Sequence, residues 1–192
     1  ITSKIALGPC VPGRKLVVAW DTCDSSLLRK IAQDADVVVH ESTNCHLEEE
    51  GEEGEREGER WGKGEATEER IKRQQSERTI VQKTTFAHGH STPEMAAAFA
   101  HSCGATNLIL THFSQRYKGD SSMESKRVMK LIAALAQGEL CALAAGEGRM
   151  HRERGNANAK AKTSDKCKVI TAQDLMVCTF PKHGEPMLKI DS

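Results

Sequence analysis

The sequence has no net charge: 27 lysines and arginines stand against 27 aspartates and glutamates. A balanced chain has no global field to gather nucleic acid, so any basic surface must be local. No apolar run approaches the roughly twenty residues that a membrane-spanning helix needs, and the first residues carry no targeting pattern. The seven cysteines include no close Cys-x-x-Cys pair, which argues against a zinc finger or a redox dithiol. An odd, dispersed set fits free thiols in a reducing compartment better than a secreted disulfide framework. An intracellular location is therefore expected, with cytoplasm, nucleus and organelle not separated. Aromatic residues make up only 4% of the chain and the mean hydropathy is −0.51, so part of the chain is expected not to pack. Ile1 is not an initiator methionine, and the sequence reads as the carboxyl-terminal part of something longer.

What the chain does have is two histidine-bearing stretches. They are Ala87-His88-Gly89-His90-Ser91-Thr92-Pro93-Glu94-Met95 and Thr111-His112-Phe113-Ser114-Gln115-Arg116-Tyr117. His90 stands ahead of a helix start, with Ser91 or Thr92 as N-cap and Pro93 in the first turn. The alanine-rich run from Met95 to Cys103 is periodic, and Gly104 is its expected stop. His112 closes the apolar run Leu108-Ile109-Leu110, which reads as a short buried strand. Upstream, Lys15–Trp20 is a strand with β-branched residues at its centre, ending on Asp21-Thr22. A helix is expected from Asp24 or Ser25 to about Ala35. Val37-Val38-Val39 is a second strand, ending on His40-Glu41. Strand, helix and strand over so few residues predict a βαβ-type unit with a parallel pair. In such folds the carboxyl ends of the strands form the rim where sites are built.

Two stretches differ from this pattern. From 48 to 78 the chain alternates Glu, Gly and Arg and has little apolar surface to offset ordering entropy, so a disordered or frayed surface insertion is expected. Residues 146–168 are a basic counterpart, read as a solvated linker. Between them Ser122 or Ser125 is expected to cap a helix ending at Gly138. Val169-Ile170 and Leu175-Met176-Val177 are expected as closing strands, with Pro181 ending the structured part. The length suits one domain, with 48–78 and 146–168 as insertions.

Three expected strands thus end on groups that bind metal or move protons: Asp21, His40-Glu41 and His112, with His90 on an adjoining loop. Carboxylate and imidazole are hard and borderline donors suited to zinc, manganese or iron. A histidine outside the metal shell, oriented by a carboxylate, could pass a proton: Glu41 would orient His90. A histidine at a strand end is more often a hydrogen-bonding residue, and an Asp after a strand is commonly a turn or cap. His46, His101, His151 and His183 are given that plainer role.

Ala19-Trp20-Asp21-Thr22, Val39-His40-Glu41-Ser42-Thr43, Gly89-His90-Ser91-Thr92 and Thr111–Tyr117, in this order, resemble the carboxyl-terminal half of the ribonuclease Z family, its short form being the nearer match. Ala172-Gln173-Asp174-Leu175-Met176 is similar to the end of that form. The resemblance covers most of 8–47, 84–135 and 168–180. It implies an α/β fold, the carboxyl-terminal half of a metallo-β-lactamase αββα sandwich. It implies a zinc-dependent phosphodiesterase that removes the 3′ trailer from precursor tRNA by two-metal hydrolysis, with two Zn2+ ions per complete site, or Mn2+ or another divalent ion. Asp21 matches the metal-bridging aspartate and His112 the last histidine ligand. His90 matches the proton-transfer histidine and Glu41 its acidic partner. Ser91, Thr92 and Arg116 would lie near the scissile phosphate. The family's His-x-His-x-Asp-His motif does not occur here; by the family pattern it precedes Ile1, and the chain alone is expected to be inactive. A homodimer is implied for the complete protein, with no membrane association. The alternatives are another metallo-β-lactamase-fold phosphodiesterase, or a catalytically inactive fragment serving as an interaction module.

Overall fold

A computed structural model describes residues 13–47, 65–118, 120–153, 167–179 and 189–191. Four parallel strands lie side by side in chain order: β1 (Leu16–Ala19), β2 (Val37–Glu41), β3 (Asn107–Thr111) and β4 (Lys168–Thr171). Their β-branched and leucine-rich centres suit a sheet buried on a face, and the register pairs Val18 with Val39 and Val39 with Ile109. The two-residue pleat divides the side chains between two faces. Val17, Val38, Leu108, Leu110 and Val169 join the core formed with helices α2 (Pro93–Ser102) and α3 (Met123–Glu153).

The α2 start and stop are those expected. Thr92 is the N-cap, its hydroxyl accepting from Met95 N at 3.4 Å, and Pro93 begins the first turn. Gly104 takes φ +64°, and the amides of Gly104 and Ala105 donate to the carbonyls of His101 and Ala100. That pair of bonds closes the helix in a Schellman motif, whose left-handed position glycine fills without strain.

Three expectations about the helices are corrected. The helix from Asp24 to Ala35 is replaced by a short 3-10 turn, Ser26–Leu28, followed by further turns. The Asp24 carboxylate accepts from Ser26 N at 2.8 Å, a local side-chain bond that competes with helix. Leu27 and Ile31 stay 93% and 69% exposed, so little burial would reward a helix there.

The acidic insertion is the second. Residues 48–64 lie outside the described residues, but Glu65–Ala87 forms helix α1. This segment is rich in Glu, Lys, Arg and Gln, strong helix formers without a proline among them. An Arg73–Glu77 pair spans one turn at 3.9 Å, and His46 meets Glu77 at 3.5 Å, tying the helix to the loop after β2. Ile71, Ile80 and Phe86 remain largely exposed.

The third is α3, which passes Gly138 and runs to Glu153, including the first part of the basic stretch; residues 154–166 lie outside the described residues. A mid-helix glycine costs about 1 kcal/mol. Met129, Ile132, Ala136 and Leu140, spaced three or four apart, continue the buried stripe across it and outweigh that cost. Within Met123–Gly146 an 18-residue stretch with a mean hydropathy of 1.5 is also long and apolar enough to cross a membrane by length and composition, and 22% of that stretch is buried. The sequence expectation that no stretch approaches this is corrected to that extent.

β4 falls where expected. The second expected closing strand, β5 (Val177–Thr179), begins later than expected because Leu175, with φ +62° and 96% exposed, belongs to a turn. β5 pairs antiparallel with β6 (Lys189–Asp191), so ordered structure returns beyond Pro181, which was expected to end it and itself lies outside the described residues.

Candidate metal and proton-transfer site

Parallel strands in register end at one edge. Ala19 pairs with His40 and Glu41 with Thr111, so Asp21, Glu41 and His112 leave the sheet at a common rim. Asp21 and His112 both turn off that rim in the left-handed backbone region, at φ +50° and +55°. Asp and His enter this region more readily than most residues, yet it holds strain of about 1 kcal/mol each. His90 arrives on the loop before α2. One donor atom from each of Asp21, Glu41, His90 and His112 lies within 4.8 Å of the others.

Glu41 is the anchor of this arrangement and is 0% exposed. One carboxylate oxygen accepts the amide of Thr22. The other accepts the amide of Ser91 at 3.0 Å and the hydroxyl of Thr43 at 2.6 Å. The Ser91 hydroxyl in turn donates to the Thr22 carbonyl at 2.6 Å. One buried charge therefore holds the loops after β1 and β2 and before α2, through charge-assisted bonds.

His90 Nδ1 sits 3.1 Å from Asp21 Oδ1 and 3.4 Å from Glu41 Oε2. Neither approach is aligned as a hydrogen bond, so this buried ring nitrogen has none. Glu41 thus stands beside His90, but without a hydrogen bond to it: the carboxylate's hydrogen bonds go to Thr22, Thr43 and Ser91. His112 Nδ1 meets the Thr43 hydroxyl at 3.0 Å. Its ring lies 5.5 Å from that of His90 and 5.8 Å, edge-on, from Trp20, centroid to centroid.

These residues fit a divalent cation. The donors are two carboxylates and two imidazoles, matched to borderline and hard ions. A buried nitrogen without a hydrogen bond is a penalty of about 1–3 kcal/mol, and a cation among these groups would offset the crowding of the two carboxylates that face it. Both Glu41 oxygens are engaged, which leaves Asp21, His90 and His112 as open donors. Structural and catalytic zinc sites take three or four protein ligands, so a second ion would draw on donors beyond the described residues.

The other expected residues divide. Ser91 and Thr92 are 1% and 2% exposed and their hydroxyls are already bonded, to the Thr22 carbonyl and the Met95 amide. Arg116 is exposed, its guanidinium 5.9 Å from the Tyr117 ring centroid, and is not brought into the cluster. His40 is sent by the pleat to the opposite face from Glu41. There its Nδ1 donates to the Glu41 carbonyl at 2.8 Å, and its Nε2 accepts from Ser25 Oγ at 2.7 Å. Burial holds its pKa below the usual histidine value, so it stays neutral beside Phe99.

Two contributors had no assigned role in the sequence. Thr43 bonds both Glu41 and His112. The Tyr117 hydroxyl accepts from Cys45 N at 3.0 Å and donates to Cys45 O at 3.1 Å, clamping the loops after β2 and β3; burial pushes its pKa up to about 12. A threonine two residues beyond a strand-end glutamate was the available signal for Thr43.

No family model matches the chain. The chain is similar to curated ribonuclease Z proteins. It is 32% identical over 114 residues to that of Pseudomonas putida strain GB-1, covering 59% of this chain and 26% of the relative. It is 34% identical over 121 residues to that of Bacillus subtilis, covering 63% and 29%. Among solved structures, human tRNase Z, short form (ELAC1), is 30% identical, with 54% of this chain and 28% of that chain covered and a TM-score of 0.34. The chain thus spans between a quarter and a third of the length of the curated relatives it matches.

Proposed function

We propose that this chain supplies part of the active site of a metal-dependent endoribonuclease that removes the 3′ trailer from precursor tRNA. The carrying observation is the convergence of Asp21, Glu41, His90 and His112 on one rim within 4.8 Å, in a chain similar to ribonuclease Z. In this reading the four-stranded sheet with α2 and α3 is half of a metallo-β-lactamase αββα sandwich. Asp21 and His112 hold the metal, zinc being the first choice for this donor set. Two divalent ions, when bound, supply an activated water and offset charge on the attacking and leaving oxygens. His90 gives a proton to the leaving 3′-oxygen, with Glu41 orienting its ring. Ser91, Thr92 and Arg116 are assigned to the scissile phosphate, Ser91 and Thr92 as the anchored turn and Arg116 as an exposed cation outside the cluster. The complete protein acts as a homodimer, and residues 1–192 alone turn over no substrate.

The test is cleavage of a precursor tRNA by the gene product isolated from its own cells with an antibody against α1. The expected result is release of the 3′ trailer, loss of activity on chelation and recovery with zinc, while purified residues 1–192 are inactive. A product that binds no divalent metal and leaves the precursor intact would overturn the reading. Turnover by residues 1–192 would overturn the claim that the site is partial.

A further inference from the structure

Thr43 sits where three polar atoms claim one hydroxyl proton. Its Oγ1 lies 2.6 Å from Glu41 Oε2, 3.0 Å from His112 Nδ1 and 3.0 Å from the His112 carbonyl. The residue is fixed in place by its backbone, whose amide donates to Ser91 O at 3.0 Å and whose carbonyl accepts from Ser114 N at 2.9 Å. A threonine hydroxyl has one proton to give and lone pairs to receive. The shortest contact, to a buried carboxylate that accepts from two further donors, takes that proton. If the proton went instead to His112 Nδ1 or to the His112 carbonyl, the hydroxyl and carboxylate oxygens would face each other at 2.6 Å with no hydrogen between them. The hydroxyl therefore receives from His112, and the ring nitrogen facing it must carry hydrogen.

We propose that Thr43 is a positioning residue: its hydroxyl relays the Glu41 charge to His112 and holds that imidazole with hydrogen on Nδ1, leaving Nε2 bare. A bare ring nitrogen is what a metal ion requires of histidine, and the other nitrogen's hydrogen bond sets which one is bare. The proposal leans on the nuclease reading only for what Nε2 would bind; the tautomer itself belongs to this chain. It also gives Glu41 a second task, on His112 as well as on His90.

The experiment reads the tautomer directly, in the metal-free chain, from the 15N signals of the His112 ring at a pH where the ring is neutral. The expected result is a protonated Nδ1 and a bare Nε2. In Thr43→Val, which keeps the shape and removes the hydroxyl, the ring shifts to the Nε2–H form that free imidazoles of histidine prefer. Thr43→Ser, which restores a hydroxyl, returns the Nδ1–H signal. A wild-type ring with hydrogen on Nε2, or a Thr43→Val ring unchanged from wild type, overturns the proposal. If Thr43→Val does not fold, the wild-type and Thr43→Ser signals decide it. Neither RNA nor metal enters the measurement, so failure of the nuclease reading leaves its outcome distinct.

Discussion

β2 ends on two adjacent residues with opposite fates. His40 faces the helices and is finished: both ring nitrogens are bonded, to Ser25 and to the Glu41 carbonyl, and the ring stays neutral. Glu41 faces the rim and is equally buried, but it stands among groups left open, with His90 Nδ1 unbonded and Asp21 57% exposed at its carboxylate. One side of the strand has settled its polar atoms internally; the other has kept donors for something outside. That difference, and not histidine count, marks where chemistry belongs.

The comparison can be broken most severely at Glu41. Glu41→Ala strips the partner from the Thr22 and Ser91 amides and the Thr43 hydroxyl, and is expected to destabilise the chain by about 3 kcal/mol in urea unfolding. It should also abolish divalent-ion binding. Next comes the pH dependence of His40. Its folded pKa is lowered from 6.5, so the unfolded chain binds the proton more readily. The stability it contributes is present above pH 6.5 and is lost as pH falls through the folded value. His40→Leu should flatten that slope in unfolding curves while leaving metal binding unchanged; a matched loss of metal binding would erase the distinction between the two faces.

Ser25→Ala is smaller: it leaves His40 Nε2 without a donor, for an expected loss of about 1 kcal/mol in the same assay. Smallest, and opposite in sign, is Asp21→Gly. Removing a side chain from the left-handed position at φ +50° relieves strain and is expected to stabilise by about 0.5 kcal/mol in thermal melts, even though it removes a metal donor. A destabilised Asp21→Gly would mean that the rim carries no strain.

The sheet and the α2 cap were legible because each rests on local signals. Valine runs, Thr92-Pro93 and Gly104 each specify their element within a few residues. The residues of the rim were legible for the same reason, since periodicity places a strand's last residue at a rim. What could not be read was set at long range. The Asp24–Ala35 segment had a helical apolar stripe, but the core buries Ala32 and Ala35 from it, takes Leu28 in part and leaves Leu27 and Ile31 exposed. Composition suggested disorder up to 78, whereas helix propensity and the His46–Glu77 contact carry order back to Glu65. The division between His40 and Glu41 was implicit in the pleat, yet which face held the helices became clear only from packing. Thr43 was hidden because its partner His112 lies 69 residues away.

The single carboxylate of Glu41 has one further consequence. Thr22 and Ser91 belong to segments 69 residues apart, joined also by the Ser91 hydroxyl on the Thr22 carbonyl. Neither segment can swing away without abandoning the same anion, so the rim opens as one cooperative unit. In hydrogen exchange the amides of Thr22 and Ser91 should then share a single protection factor and lose it together, whatever the rates of the loops around them.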